Sequence, residues 1–327
     1  MGVEKKNVRT EPHNPHTPIN QTMGGGTASK PKPSRPSLTP LAHGSFAVIC
    51  GVTTHPDIVF KISRRSRDHE SEVRFLTLLA HPKAPVELRS PHVVEWFSAP
   101  EWQVNGVTHR AVVLERGLCD LTTLLDGTAG LGPRHPTLGL YWARQLASAI
   151  QHCHENHVAH CDIKLDNLII NQAGVIKLID FAACITPADQ PTMVRLGGSP
   201  LYMSPESLDP SMYTIPTCHD AWAVGVSLFA IFTGNFPHHV HPVTHRGRGA
   251  LYQLLHTNQQ EEFWRRHGEA QHLPTKLRIL IMRLLSFAPK ARPGMKEVVE
   301  TPMMQTSHGP EDTLQYIQER KIKINKD

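Results

Sequence analysis

The chain has 327 residues, 39% of them hydrophobic and 19% charged, with 27 prolines, 22 histidines and a formal net charge of +5. That length holds about two domains or lobes with a packed core, and so mild a positive charge permits an acidic partner without requiring nucleic acid. Residues 1–40 are polar and basic rather than leader-like, and no apolar run approaches the ~18 residues of a membrane span. The six cysteines are scattered without a CxxC pair, so the expectation is an intracellular protein, in cytoplasm or nucleus, with reduced thiols and no membrane partner. Met1-Gly2 invites a lipid-anchor reading, but Lys6 stands where such a signal needs Ser or Thr.

Along the chain, residues 1–37 combine Pro, Thr, Lys, Arg and a Gly24-Gly25-Gly26 run with almost no large apolar side chains. Such a segment cannot bury enough surface to offset its ordering entropy and is expected to be disordered. Residues 46–50 and 58–62 read as strands with a turn over 53–57. Residues 68–80 place apolar side chains at helical spacing. Val93–Phe97 and His109–Leu114 read as two more strands. From residue 120 helices dominate, the clearest at 139–157, 218–234, 247–256 and 274–286. A sheet-rich half followed by a helical half makes the fold class α+β.

The chemistry concentrates in His160-Cys161-Asp162-Ile163-Lys164-Leu165-Asp166-Asn167, followed after a turn by Lys177-Leu178-Ile179-Asp180-Phe181-Ala182. A carboxylate to accept a hydroxyl proton, a Lys beside it, and an Asn with a second Asp to hold Mg²⁺ are what phosphoryl transfer requires. These segments resemble the H-R-D-x-K-x-x-N and D-F-G loops of eukaryotic-type serine/threonine protein kinases. Cys161 replaces the Arg and Ala182 the Gly. Further segments in the family's order are Gly198-Ser199-Pro200 through Pro205-Glu206, Asp220-Ala221-Trp222, and Pro289 through Arg292-Pro293. The lead-in His152-Cys153-His154 with His157 also invites a zinc reading, but its match to the family's L-H-x-x-x-I-x-H run explains it.

The resemblance implies a two-lobed fold: a tail over 1–37, a small β-rich lobe over 38–117, a larger helical lobe over 118–299 and an extension over 300–327. It implies ATP and Mg²⁺ as cofactors and protein Ser/Thr hydroxyls as substrates. In the catalytic role it places Asp162, Lys164 and Ser199, with Lys61 on the phosphates and Glu72 holding Lys61. Leu76 would lie beneath Phe181. Asn167 and Asp180 would hold the metal. The nucleotide would lie against Ala42, His43, Gly44 and Ser45 of a phosphate-covering loop that keeps one of three glycines. Ile49, Val59, Leu114 and Leu168 would enclose the base, with main chain at Glu115 and Gly117 on its edge and Asp120 near the ribose. Arg292 would pair with Glu206. Asp166 and Asp120 suggest substrates with basic residues N-terminal to the phosphosite, although Ala230 replaces a third acidic position. Cys161 offers no charge to a phosphate on the activation segment around Thr186, Thr192 and Arg195.

The degenerate loop and the His/Pro-rich composition also look like kinases of large DNA viruses, herpesvirus-type ones included. The alternative from another class is a pseudokinase scaffold that binds partners without transfer, favoured by the loop and Ala182 and opposed by intact Lys61, Asp162, Asn167 and Asp180. A small-molecule kinase of the choline or aminoglycoside type shares H-x-D-x-x-x-x-N, but Lys164, Glu206 and Arg292 argue against it.

Overall fold

The computed structural model describes residues 38–320 apart from 45, 82, 86–87, 127–129, 132–134, 187–198, 210–212, 238–262 and 266, all within the unit Ser37–Asp327. The expected tail over 1–37, the helix over 247–256, and Ser45, Thr192 and Arg195 lie outside the described residues.

Six strands form the first sheet: β1 (Leu38–His43), β2 (Ala47–Val52), β3 (His55–Ser63), β4 (Trp96–Ser98), β5 (Glu101–Val104) and β6 (Val107–Glu115). They run in the order β1-β2-β3-β6-β4, with β5 paired to β6. β1 is mostly exposed and its two half-buried leucines, Leu38 and Leu41, stand three apart, so it lacks the apolar alternation that marks a strand in sequence. The turn expected over 53–57 is only Thr53-Thr54, because Val52 already pairs with His55. Val93 and Val94, expected in a strand, turn away from this sheet. Val93 bridges to Leu178, and the Val94 N–H donates to the Leu178 carbonyl at 3.0 Å.

Helix α1 (Ser66–Ala80) lies against this sheet with Glu72, Phe75, Leu76 and Leu79 on its buried face. Those positions are three or four apart, the spacing of one helix stripe. The next residues, His81-Pro82, end it, since Pro disfavours helical backbone in the residue before it.

β7 (Gly117–Asp120) leaves the first sheet and pairs with β8 (Leu168–Asn171), which pairs with β9 (Ile176–Leu178). The helical half is built on α3 (Pro136–Glu155) and α5 (Pro216–Thr233), joined by the short α2 (Leu121–Leu125) and α4 (Pro205–Leu208) and by α6 (Thr275–Leu284) and α7 (Met295–Glu300). α5 is buried from His219 to Thr233, which is why it reads as apolar all round. α3 starts three residues before its expected beginning, with Pro136 in the first turn. Gly139 then sits inside the helix because a Cβ there would come within 2.4 Å of the Phe232 ring of α5. The glycine trades helix propensity for a close crossing of the two central helices.

After residue 300 the chain forms a further helix, α8 (Pro310–Glu319), seated on α3. Thr313 accepts the Trp142 indole N–H at 3.0 Å, and Tyr316 packs edge-on to Trp142. Ile317 is 1% exposed. Removing three carbons from such a site leaves a cavity and costs about 2–4 kcal/mol. Ile317→Ala is therefore expected to destabilise the whole chain by that amount in urea unfolding. A change below about 0.5 kcal/mol would show that α8 is not part of the core.

Candidate active site

β3 alternates, so Val59 and Lys61 share its buried face. The Lys61 ammonium donates to Glu72 Oε1 at 2.7 Å and to Asp180 Oδ1 at 2.8 Å. Burial alone would push Lys61 down, but the two carboxylates outweigh it and hold the ammonium above the usual lysine range. Burial likewise opposes ionisation of Asp180, yet Lys61 outweighs it and keeps Asp180 below its ordinary value. Glu72 is 1% exposed and its burial pushes it up against the pull of Lys61. Two carboxylates, 11 and 119 residues along the chain from Lys61, thus share its one buried cation, which holds α1 against the sheet.

Asp180 adopts the left-handed region, with φ at 65°. Ala182, by contrast, lies outside that region, in a 3-10 turn over Phe181–Ala183 where its carbonyl accepts the Ser71 hydroxyl at 2.9 Å. Its replacement of Gly therefore carries no backbone strain. Leu76 and Phe181 are both fully buried in the core beneath this turn.

Asp162 stands across the cleft. Lys164 Nζ donates to Asp162 Oδ2 at 2.7 Å and to Ser199 Oγ at 3.1 Å. The Asn167 amide nitrogen donates to the Asp162 carbonyl at 2.7 Å and to its carboxylate at 3.1 Å. This orientation leaves the Asn167 side-chain amide oxygen Oδ1 without a protein donor among the described residues. Asn167 and Asp180 therefore present a carboxamide oxygen and a carboxylate to the same cleft. That suits a hard cation that takes one or two protein oxygens and completes its shell with phosphate and water.

The catalytic loop is fixed from behind. Asp220, fully buried at the start of α5, accepts the backbone N–H groups of His160 at 2.8 Å and Cys161 at 2.9 Å, and bonds His154 at 2.9 Å. These bonds hold Cys161 at φ 64°, which is costly for a residue with a Cβ. Cys161 is 2% exposed and packs with Ala159 and Ile185, and burial raises its thiol well above the usual range. An apolar contact occupies the place where the family pattern has a charged Arg. The zinc reading fails here: His154 is engaged with Asp220 and His152 with the Leu79 carbonyl. No cluster of three or more His, Cys, Asp or Glu residues suited to a metal exists among the described residues.

Between the two sheets lies a cleft of about 700 Å³. Ala42, His43, Gly44, Ile49, Val59 and Leu114 form its upper wall, and Glu115, Gly117 and Asp120 its rear edge. Glu115 uses its side chain away from the cleft, accepting the Glu95 N–H at 2.8 Å and pairing with Lys177 at 2.9 Å. Asp120 caps α2 by accepting the Thr123 N–H at 2.7 Å. Leu168 is the exception among the expected binding residues. β8 alternates, so Leu168 and Ile170 point into the core and Ile169 faces the cleft. A Cβ on Gly117 would come within 2.9 Å of Ile169, so the strand junction closes only with glycine there. Ile169 and Asp220 were not expected at the site; the two-residue period of β8 would have found the first, and the D-x-W segment the second.

Several histidines near the site are buried neutral. His92 bonds the Ile176 carbonyl at 3.3 Å, and burial pushes it down to about 4. Burial also lowers His69, His160 and His219. An unfolded histidine titrates near 6.5. Below that pH the unfolded chain takes up protons that folded His92 refuses until about pH 4. The stability is therefore complete above pH 6.5 and is lost as the pH falls toward 4. His92 alone accounts for about 2 kcal/mol by pH 5. Thermal unfolding at pH 7 and pH 5 should show the loss, and His92→Asn should reduce it. A flat profile for both proteins would contradict the assignment.

Residues 40–304 match the family described as the protein kinase domain. The chain is 27% identical over 270 residues to the human hormonally up-regulated neu tumor-associated kinase, an alignment covering 79% of this chain and 35% of that protein. It is 29% identical over 301 residues to CBL-interacting protein kinase 25 of Oryza sativa subsp. japonica, covering 86% of this chain and 54% of the relative. To protein kinase kin1 of Schizosaccharomyces pombe it is 25% identical over 307 residues, covering 89% and 31%. The chain thus spans between about a third and a half of the length of these relatives. With that match across most of its length, and with a β-rich lobe and a helical lobe enclosing the cleft, this chain belongs to the protein kinase domain family.

Proposed function

We propose that this protein is a serine/threonine protein kinase that moves the γ-phosphoryl group of Mg-ATP to protein hydroxyls. The observation that carries the reading is the bonding of one Lys61 ammonium to both Glu72 and Asp180. A fixed cation held beside a cleft carboxylate supports phosphate binding next to a metal ion. Asn167 and Asp180 would hold Mg²⁺, which supplies neutralisation of phosphate charge when bound. Asp162 orients the attacking hydroxyl and takes its proton. Lys164, already bridging Asp162 and Ser199, offsets charge on the transferring group. Ser199 supports a Ser/Thr acceptor, because its small hydroxyl fills the space beside Asp162. The test is transfer of labelled phosphate from Mg-ATP to a protein or peptide. Nucleotide binding without transfer would instead support a partner-binding scaffold.

The reading extends to substrate class. Asp166 is exposed at the cleft, where its carboxylate can meet a substrate guanidinium in a charge-assisted, forked bond. Asp120 is a weaker contributor because its carboxylate already caps α2. A peptide array should favour Arg or Lys N-terminal to the phosphosite, and Asp166→Asn should reduce that preference by about fivefold to tenfold, 1–1.4 kcal/mol. Selection of acidic or proline-directed peptides would refute it. The six free cysteines are in keeping with a reducing, intracellular setting, which fractionation of expressing cells would test.

A further inference from the structure

Helix α1, which carries Glu72, begins in an unusual way. Its cap residue is Arg65, which makes no side-chain capping bond. Arg64, Arg65 and Arg67 are all exposed around the first turn. Cations at a helix N-terminus oppose the helix dipole, and an uncapped first turn leaves its N–H groups to water. Arg67 lies 3.4 Å from Asp68, and Arg65 stacks over Phe46, but no carboxylate pairs with Arg64 or Arg65 among the described residues. At the centre of this group is Ser66, exposed, with Arg110 Nη1 donating to its hydroxyl oxygen at 2.8 Å. Arg110 is shared with Glu101 at 2.6 Å. Asp68 and Glu101 are therefore the acidic groups already engaged here, and exposed Glu70 is the third nearby carboxylate.

We propose that Ser66 is a phosphorylation site of this protein, modified by a second copy of the same chain. The inference rests on the proposed preference for basic residues N-terminal to the phosphosite, since Arg64-Arg65 directly precede Ser66. The exposed, poorly capped first turn opens at small cost and presents Arg64-Arg65-Ser66 as an extended segment. In the step, the bond between the γ-phosphorus and its bridging oxygen breaks and ADP leaves. The Ser66 oxygen forms the new bond to phosphorus, and its proton passes to Asp162 of the acting copy. The product reverses the electrostatics of the turn. A phosphate of nearly two negative charges at a helix N-terminus complements the dipole and offers forked acceptors to Arg64, Arg65 and Arg110. The modified turn closes again and holds the front of α1 in place, six residues before Glu72. Nearby hydroxyls are less suited: Ser71 is committed to the Ala182 carbonyl, and Ser63 lies within β3.

The full chain is incubated with Mg-ATP, and the chymotryptic segment 61–75 is read by mass spectrometry. A catalytically inactive Asp162→Asn copy is also offered to the active enzyme. Phosphate on Ser66 in at least half the chains, including the inactive copy, is the expected result, with none at that position in Ser66→Ala. A peptide bearing basic residues before its Ser is assayed in parallel. Peptide labelled with Ser66 unmodified overturns this proposal and leaves the kinase reading intact; no label on either overturns both. The phosphorylated protein should melt about 2–4 °C higher than Ser66→Ala treated in the same way, and Arg110→Gln should remove most of that gain. An unchanged melting temperature with Ser66 fully modified would overturn the stabilising role.

Discussion

Lys61→Met is expected to lower phosphoryl transfer by at least a hundredfold while leaving a folded chain. Lys61 bonds Glu72 at 2.7 Å and Asp180 at 2.8 Å; Lys61 and Asp180 line the cleft, and Glu72 is buried behind them. Methionine keeps the length of the stem and removes the charge. The loss at the reacting centre is a fixed cation aimed at phosphate oxygens, a contribution of about 3 kcal/mol or more, and hence a hundredfold or greater. The loss in the fold is partly relieved by protonation, because burial already pushes Glu72 up and removing Lys61 pushes it further. Asp162→Asn should be at least as severe, since Lys164, Asn167 and Ser199 all converge on that carboxylate. Steady-state kcat/KM with a peptide substrate, alongside thermal melting, separates the two effects. A folded Lys61→Met protein within tenfold of the parent rate would remove Lys61 from the mechanism.

The second large effect concerns stability rather than rate. Arg292 forms a fork with Glu206, its two terminal nitrogens donating at 2.6 and 2.8 Å. It also donates to the Cys218 and Ser286 carbonyls, both at 2.8 Å, and lies over the Trp222 ring. Both charged groups are essentially inaccessible to water. Burial would raise Glu206, but Arg292 outweighs it and holds the carboxyl below its ordinary range. Replacing Arg292 by Met strands a buried carboxylate, at a cost of about 3–5 kcal/mol. Arg292→Lys should recover little of it, because an ammonium cannot reproduce the fork or the stacked plane. Urea unfolding of both variants is the measurement, and a loss below about 1 kcal/mol for Arg292→Met would contradict it. Because α4 carries Glu206 close behind Ser199, transfer should also fall in any variant that still folds.

How much of this was readable beforehand depends on what kind of information each residue needs. Lys61, Glu72, Asp162, Lys164, Asn167, Asp180, Glu206 and Arg292 were all legible in the sequence. Each is a residue type that phosphoryl transfer or a buried pair requires, and their order along the chain is distinctive. The stripe of α1 and the apolar length of α5 were equally legible, because local periodicity records which face is buried. β1 was not, since its mostly exposed residues join the sheet through backbone pairing with β2 rather than by an alternating buried face.

Other features were decided only by the packed chain. Assigning Leu168 rather than Ile169 to the cleft was a one-residue error, and in a strand one residue reverses the face. Val93 and Val94 look like strand residues, yet their partner is β9, far along the chain. Asp220 is the carboxylate that clamps the strained catalytic loop, 59 and 60 residues away from the backbone N–H groups it accepts. The seating of α8 on Trp142 is likewise a contact between distant segments. By itself, then, the sequence determined the family, the candidate reacting groups and the amphipathic faces, since those are set by residue type and local spacing. The tertiary structure decided which strand face meets the cleft, which backbone pairs where, and which buried carboxylate holds the catalytic loop. Each of those depends on groups far apart in the chain being desolvated together, and no local pattern encodes that.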